Sequence, residues 1–188
     1  MSDQTPPTEA PPKGQVRAPS LLLINTGDGK GKSTAAFGTV IRAVARGWKV
    51  AVVQFLKSGE WSVGEEKIAR QVGVDWWAMG DGFTWDSDDM EESEAIALSA
   101  WDHAAEIIRS GDYELVVLDE VTYPINWGWV DIDEVVEVLD GRPDKVNVIL
   151  TGRDAPQRLV DIADTVTEMR KVKHAYDQGV MARRGIDY

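Results

Sequence analysis

The run Leu21-Leu22-Leu23-Ile24-Asn25, leading into Thr26-Gly27-Asp28-Gly29-Lys30-Gly31-Lys32-Ser33, constrains this chain more than any other stretch. A short apolar run ahead of a glycine cluster reads as a buried strand. Beyond Ser33, the residues Ala36, Phe37, Val40, Ile41 and Val44 fall on one face of a helix. Strand, glycine-rich turn and helix, closing on Gly31-Lys32-Ser33, is the context of a phosphate-binding loop. Glycines let successive N–H groups curl around an anion without a Cβ in the way. The helix that follows directs its positive end at the same place. Lys32 then reaches terminal phosphates, and the Ser33 hydroxyl is a ligand for Mg²⁺. The motif departs from the usual spacing once: Thr26 stands where the first glycine is expected, and Gly27 comes one residue late. The expected ligand is a nucleoside triphosphate.

The rest of the chain alternates. Strands are expected at 48–55, 74–79, 114–118, 145–150 and 165–169. Helices are expected at 64–72, 88–109 and 131–139, with a short one after Pro156. Ala97, Trp101, Ala104 and Ile108 make the apolar stripe of the long helix. Gly141 and Pro143 stop the helix before them. Such alternation predicts an α/β fold, a mostly parallel sheet with helices on both faces, of the P-loop NTPase-like (RecA-like) kind. One domain is expected over residues 21–188. Residues 1–20, with five prolines among polar residues, read as a flexible arm.

Ligands in parallel sheets bind at the carboxyl ends of strands. That rule gathers the phosphate loop, residues 83–85, Asp119-Glu120 and Gly152-Arg153 into one crevice. Val116-Val117-Leu118-Asp119-Glu120 is an apolar strand ending in two acids, the pattern that holds Mg²⁺ beside a phosphate loop. Ser33, Glu120 and Asp119 are therefore the candidate metal set. Gly27 to Thr34 form the candidate nucleotide cradle. Arg153 follows a strand end and a glycine, so it is either a bidentate phosphate clamp or a surface arginine. Arg42, on the first helix, either reaches the nucleotide or is solvated. His103 and His174 have no ligand spacing and read as surface or satisfied histidines. Phe83 and Trp85 project from a glycine-flanked loop and, on residues alone, read first as core anchors.

Composition narrows the classes. A net charge of −12 disfavours nucleic acid as the main partner. The chain has no cysteine, so disulfides and thiolate metal sites are excluded, and a reducing cytoplasm is the natural compartment. No segment is long and apolar enough to span a membrane.

Several stretches together carry a resemblance. They are Gly27 to Gly38, Met79-Gly80-Asp81-Gly82-Phe83-Thr84-Trp85, Leu118-Asp119-Glu120-Val121-Thr122-Tyr123, Thr151-Gly152-Arg153, and the ending from Val172 through Gly185-Ile186-Asp187-Tyr188. In this order they resemble the corrinoid adenosyltransferases of the CobA/CobO/BtuR type, over everything after the N-terminal arm. The resemblance implies ATP and Mg²⁺ as co-substrate and metal, and cobalamin or a related corrinoid as the second substrate. The reaction it implies is attack of reduced cobalt on the 5′ carbon of ATP, giving adenosylcobalamin and triphosphate. It implies ATP bound in reverse relative to P-loop hydrolases. It further implies that Phe83 and Trp85 lie beneath the corrin, that the arm covers the corrinoid site, that a reductase supplies the electron, and that the protein is a homodimer. The cofactor supplies the nucleophile, so no protein general base is required.

Overall fold

Alternate residues of the central strands serve two different cores, which is what a sheet covered on both faces requires. Val50 and Val52, Leu115 and Val117, and Ile149 face one core, with Phe37, Val40 and Trp76. Ala51 and Val53, Val116 and Leu118, and Val148 and Leu150 face the other, with Trp101, Ile108, Val135 and Leu159. A strand whose both faces are buried loses the polar alternation of an exposed one, hence the uniform apolar runs.

The structure, a computed structural model, describes residues 14–56, 64–80 and 90–187. The elements are β1 (Leu22–Thr26), α1 (Lys32–Ala45), β2 (Val50–Gln54), α2 (Gly64–Gln71), β3 (Asp75–Ala78) and α3 (Met90–Ser110). They continue as β4 (Leu115–Asp119), α4 (Thr122–Asn126), α5 (Ile132–Asp140), β5 (Asn147–Thr151), α6 (Gln157–Ile162) and β6 (Thr165–Glu168). A 3₁₀ turn follows at Tyr176–Gln178. The strands run in the order β3-β2-β4-β5-β1-β6, and every pairing is parallel. The α/β fold with helices on both faces is as the alternation predicts.

Local causes are visible at the ends of elements. Asp131 caps α5, its carboxylate accepting the Asp133 N–H at 2.8 Å. The acids Glu91 and Glu92 occupy the first turn of α3. Ala97, Trp101, Ala104 and Ile108 are all buried, as their spacing predicts. Ile41 is not: it is half exposed, and Ala43 takes its place on the buried face of α1. The α4 helix goes undetected in the sequence because it is five residues long and contains Pro124. Of the N-terminal arm, residues 14–20 carry no helix or strand.

Candidate functional site

The strand order places the site. β5 lies between the loop strand β1 and the acid-ended strand β4, so three adjacent strand ends carry the loop, the Thr151-Gly152-Arg153 turn and Asp119-Glu120. This is the carboxyl-end crevice expected of such a sheet.

The loop is built against the outer strand. Met169 donates its N–H to Thr26 O at 2.7 Å, and Gly29 donates its own to Met169 O at 2.5 Å. A Cβ on Gly29 would stand 2.5 Å from Met169 O and 2.8 Å from the Arg170 carbonyl carbon. Glycine is required there by this close approach of backbone. Gly31 is required for another reason, a φ of 116° at the start of α1. Thr26 proves useful where glycine was expected: its Oγ1 accepts the Ala155 N–H at 3.1 Å and ties β1 to the turn after β5. Asn25 donates its Nδ2 to Lys32 O at 3.1 Å, fastening the exit of the loop.

Lys32 folds back into this loop. Its ammonium donates to Gly27 O at 2.7 Å and Gly29 O at 2.8 Å. Burial, and then the nearby Arg153, hold its pKa below the usual 10.5, while Asp28, Glu120 and Asp119 act in the opposite sense. Lys32, Arg153 and the two acids are thus neighbours, as is the exposed Asp28. Ser33 is partly buried and Thr34 exposed at the start of α1. Lys30 points elsewhere and pairs with Asp187. Asp187 also accepts the Arg183 N–H at 2.7 Å, so its carboxyl lies below the usual carboxylate range, Lys30 first among the causes. Arg42 is not brought to this group. It is exposed in the last turn of α1, about 15 Å along the axis from Lys32.

The two acids differ. Asp119 is fully buried; its Oδ1 accepts from Thr151 Oγ1 at 2.7 Å and its Oδ2 from Gln54 Nε2 at 2.9 Å. Gln54 Oε1 in turn accepts the Trp76 indole N–H at 3.2 Å. Glu120 is partly exposed and has φ of 66°, rare for a residue with a Cβ and concentrated at functional sites. Its N–H donates to Thr151 Oγ1 at 2.9 Å. That turn directs two consecutive acids differently, one inward as a structural acceptor and one toward the crevice.

Behind them, α4 is clamped to the Arg153 turn. Thr122 Oγ1 donates to Arg153 O at 2.7 Å, and Asn126 Nδ2 to Asp154 O at 3.0 Å. A Cβ on Gly152 would lie 1.9 Å from Thr122 Oγ1. Tyr123 is half-buried; burial raises its pKa, Arg153 opposes, and Glu120, Asp154 and Asp119 add to it. Gln54, Thr151, Thr122, Asn126 and Tyr123 are site residues that the sequence reading missed. Of these, Thr122-Tyr123 and Thr151 carried a signal, as parts of the stretch after the acids and of the Thr151-Gly152-Arg153 stretch.

Phe83 and Trp85 lie outside the described residues. A cleft of about 490 Å³ opens beside α1, lined among others by Phe37, Ile41, Ile68, Trp76 and Ile186. None of Asp119, Glu120 and Arg153 lines it. Among the described residues the buried Nε2 of His103 has no hydrogen-bond partner, and the ring lies edge-on to Trp77 at 4.7 Å. His174 is satisfied, its Nδ1 accepting the Tyr176 N–H at 3.1 Å. Among the described residues no helix is long and apolar enough to cross a membrane.

A parallel sheet, a lysine-bearing glycine loop at a helix N-terminus and an acid-ended strand two places away define a P-loop nucleotide-binding protein. The fold is shared with a KaiC-like protein from Pyrococcus horikoshii, at a TM-score of 0.50 and 16% identity, covering 84% of this chain and 76% of that one. Residues 19–188 match the family described as ATP:corrinoid adenosyltransferase BtuR/CobO/CobP, and the chain belongs to that family. It is 45% identical to the corrinoid adenosyltransferase of Escherichia coli K12 over 89% of this chain and 85% of that one. Over 89% of this chain it is 44% identical to the corrinoid adenosyltransferase CobA of Salmonella typhimurium, covering 85% of it. Over the same share it is 43% identical to the Pseudomonas aeruginosa enzyme, covering 83% of it. The reaction is therefore transfer of the adenosyl group of ATP to a corrinoid, and the enzyme is a transferase.

Proposed function

We infer that the loop–acid crevice holds ATP by its triphosphate, and that the residues there stabilise a leaving group rather than activate a nucleophile. In the transfer, cobalt(I) supplies the electron pair, a Co–C5′ bond forms, and the C5′–O bond breaks. The electrons of that bond leave on the triphosphate. No proton need move in this step. Lys32, the amides of Gly29 to Thr34 and Arg153 meet the developing charge. The observation that carries this reading is the Lys32 ammonium, held by two loop carbonyls within the electrostatic reach of Arg153 and the acids. Arg42 remains in the proposal only as a contact of an extended triphosphate, given its distance from Lys32.

The oxygen donors fit Mg²⁺. The Ser33 hydroxyl and the Glu120 carboxylate would hold it, with Asp119 acting on its waters, because both Asp119 oxygens already accept hydrogen bonds. Mg²⁺ keeps several waters and takes its remaining oxygens from phosphates, so two protein oxygens are enough to hold it. When bound, Mg²⁺ neutralises charge on the departing triphosphate.

Phe83 and Trp85, apolar and without a strong cobalt ligand, would fill the lower axial side of the corrin, exclude water and leave cobalt four-coordinate. Loss of an axial ligand eases reduction to cobalt(I). The arm would cover the corrinoid, the working unit would be a homodimer in the cytoplasm, and a reductase would deliver the electron. The test is incubation with ATP, Mg²⁺ and chemically reduced cobalamin. Adenosylcobalamin and triphosphate in equal amounts are expected, whereas diphosphate or orthophosphate as first product refutes the leaving-group reading. For the aromatic pair, Phe83→Ala and Trp85→Ala should keep ATP affinity and lose the four-coordinate cobalt(II) spectrum. Full retention of that spectrum removes them from the role.

A further inference from the structure

Three aromatic rings lead away from the site along α4 and its exit. Tyr123, under the influence of Arg153, Glu120 and Asp119, begins the row. The Trp127 ring lies 5.9 Å from it, and Trp129 lies 4.7 Å from Trp127, both pairs tilted. Trp127 is 41% exposed, although it sits on a segment fixed to the Arg153 turn by Thr122 and Asn126. An exposed indole on so firmly held a backbone is a ready-made stacking face. The triphosphate does not need it, since the loop and the acids already meet the charge.

The second substrate is the one with an unplaced flat group. A complete corrinoid carries a nitrogen heterocycle on a flexible nucleotide tail, and that base is the lower axial ligand of cobalt. If the lower face is cleared, the base remains tethered at high effective concentration and returns to cobalt unless something else binds it. Stacking on an aromatic side chain holds a base sequence-independently and without a matching hydrogen-bond pattern. We propose that the Tyr123–Trp127–Trp129 row is the subsite for the displaced base of a complete corrinoid, with the Trp127 indole as its stacking face. This rests on the reading that the lower ligand leaves cobalt on the enzyme. Adenine is the less favoured occupant, because the adenosyl C5′ must stay at the cobalt while the row leads outward to solvent.

The experiment compares cob(II)alamin with cob(II)inamide, which lacks the base, on the ATP-loaded protein. Dissociation constants and the four-coordinate cobalt(II) signal are read by absorbance and electron paramagnetic resonance. Trp127→Ala should weaken cobalamin binding roughly tenfold and lower its four-coordinate fraction, with cobinamide and ATP changed less than twofold. A merely structural role would weaken both corrinoids alike, and Trp127→Phe should restore most of the difference between them. Equal weakening for both corrinoids overturns the subsite. Weakened ATP binding reassigns the row to adenine, and a change in sedimentation reassigns it to a second copy; either overturns the proposal. If the unaltered protein gives a four-coordinate signal with neither corrinoid, the displaced-ligand reading itself fails and the subsite falls with it.

Discussion

Replacing Lys32 by alanine should separate stability from catalysis. In the folded protein the ammonium gains two hydrogen bonds, to Gly27 O and Gly29 O at 2.7 and 2.8 Å. Against them stand its burial and Arg153, which together hold its pKa below 10.5. Each hydrogen bond from a charged donor is worth about 1.5–3 kcal/mol, but the loop carbonyls regain water once the side chain is gone. The two effects nearly cancel, and unfolding in urea should shift by less than about 1 kcal/mol. The sign of the pH dependence follows from the lowered pKa. Folding carries a penalty for the charged lysine that is full below its folded pKa and is relieved as pH rises toward 10.5, so an alkaline gain in stability should disappear in the variant. Catalysis behaves otherwise. Losing a charge-assisted contact to the departing triphosphate should cost about 2–4 kcal/mol in the transition state, a fall of roughly 30- to 1000-fold in rate. Single-turnover transfer with cobalt(I) supplied chemically measures it without interference from the reduction step. A folded variant within threefold of the parent would refute the assignment of Lys32 to the triphosphate.

Glu120→Gln should raise the Mg²⁺ needed for half-maximal transfer about tenfold or more while leaving the fold intact; an unchanged metal titration removes Glu120 from the metal. Thr151→Val keeps the shape of a fully buried residue but deprives Asp119 of one donor and the Glu120 N–H of its acceptor, so stability should fall by about 2–4 kcal/mol and Thr151→Ser should recover most of it. The Lys30–Asp187 pair should pin the C-terminal tail above the ordinary carboxylate pKa and release it as pH falls through the depressed one; hydrogen exchange of residues 183–187 should accelerate there, and Asp187→Asn should exchange fast at every pH.

The parts of this molecule that repeat a period were legible from sequence. Unbroken apolar runs in β2 and β4 announce strands buried on both sides, and the helical spacing of Ala97, Trp101, Ala104 and Ile108 announces the inner face of α3. The loop was legible because its glycines are forced, Gly29 by close backbone and Gly31 by its positive φ, and the acids because they end a strand. What escaped the sequence is contact between distant segments. Nothing in Gln54 marks it as the partner of Asp119, 65 residues on, since glutamine in a strand carries no period. Thr26 looked like a defect in a motif until its hydroxyl met the Ala155 N–H. Tyr123 and Asn126 belong to a helix too short for any periodicity. Arg42 shows the converse: an arginine near the loop in sequence lies at the far end of α1, because each helical residue adds about 1.5 Å.

The hydrogen bonds around Asp119 have a direction that no side-chain rotation can reverse. An indole N–H can only donate, so Trp76 fixes the Gln54 amide with its oxygen toward β3 and its nitrogen toward β4. From the other side, the Glu120 backbone N–H can only donate, so the Thr151 hydroxyl must spend its own proton on Asp119. Both strings end on one carboxylate, each begun by a group that cannot accept. A tryptophan two strands away therefore sets the polarity at the buried carboxylate beside the glycine loop, and a substitution there that preserved every volume would still change the electrical sense of that strand end.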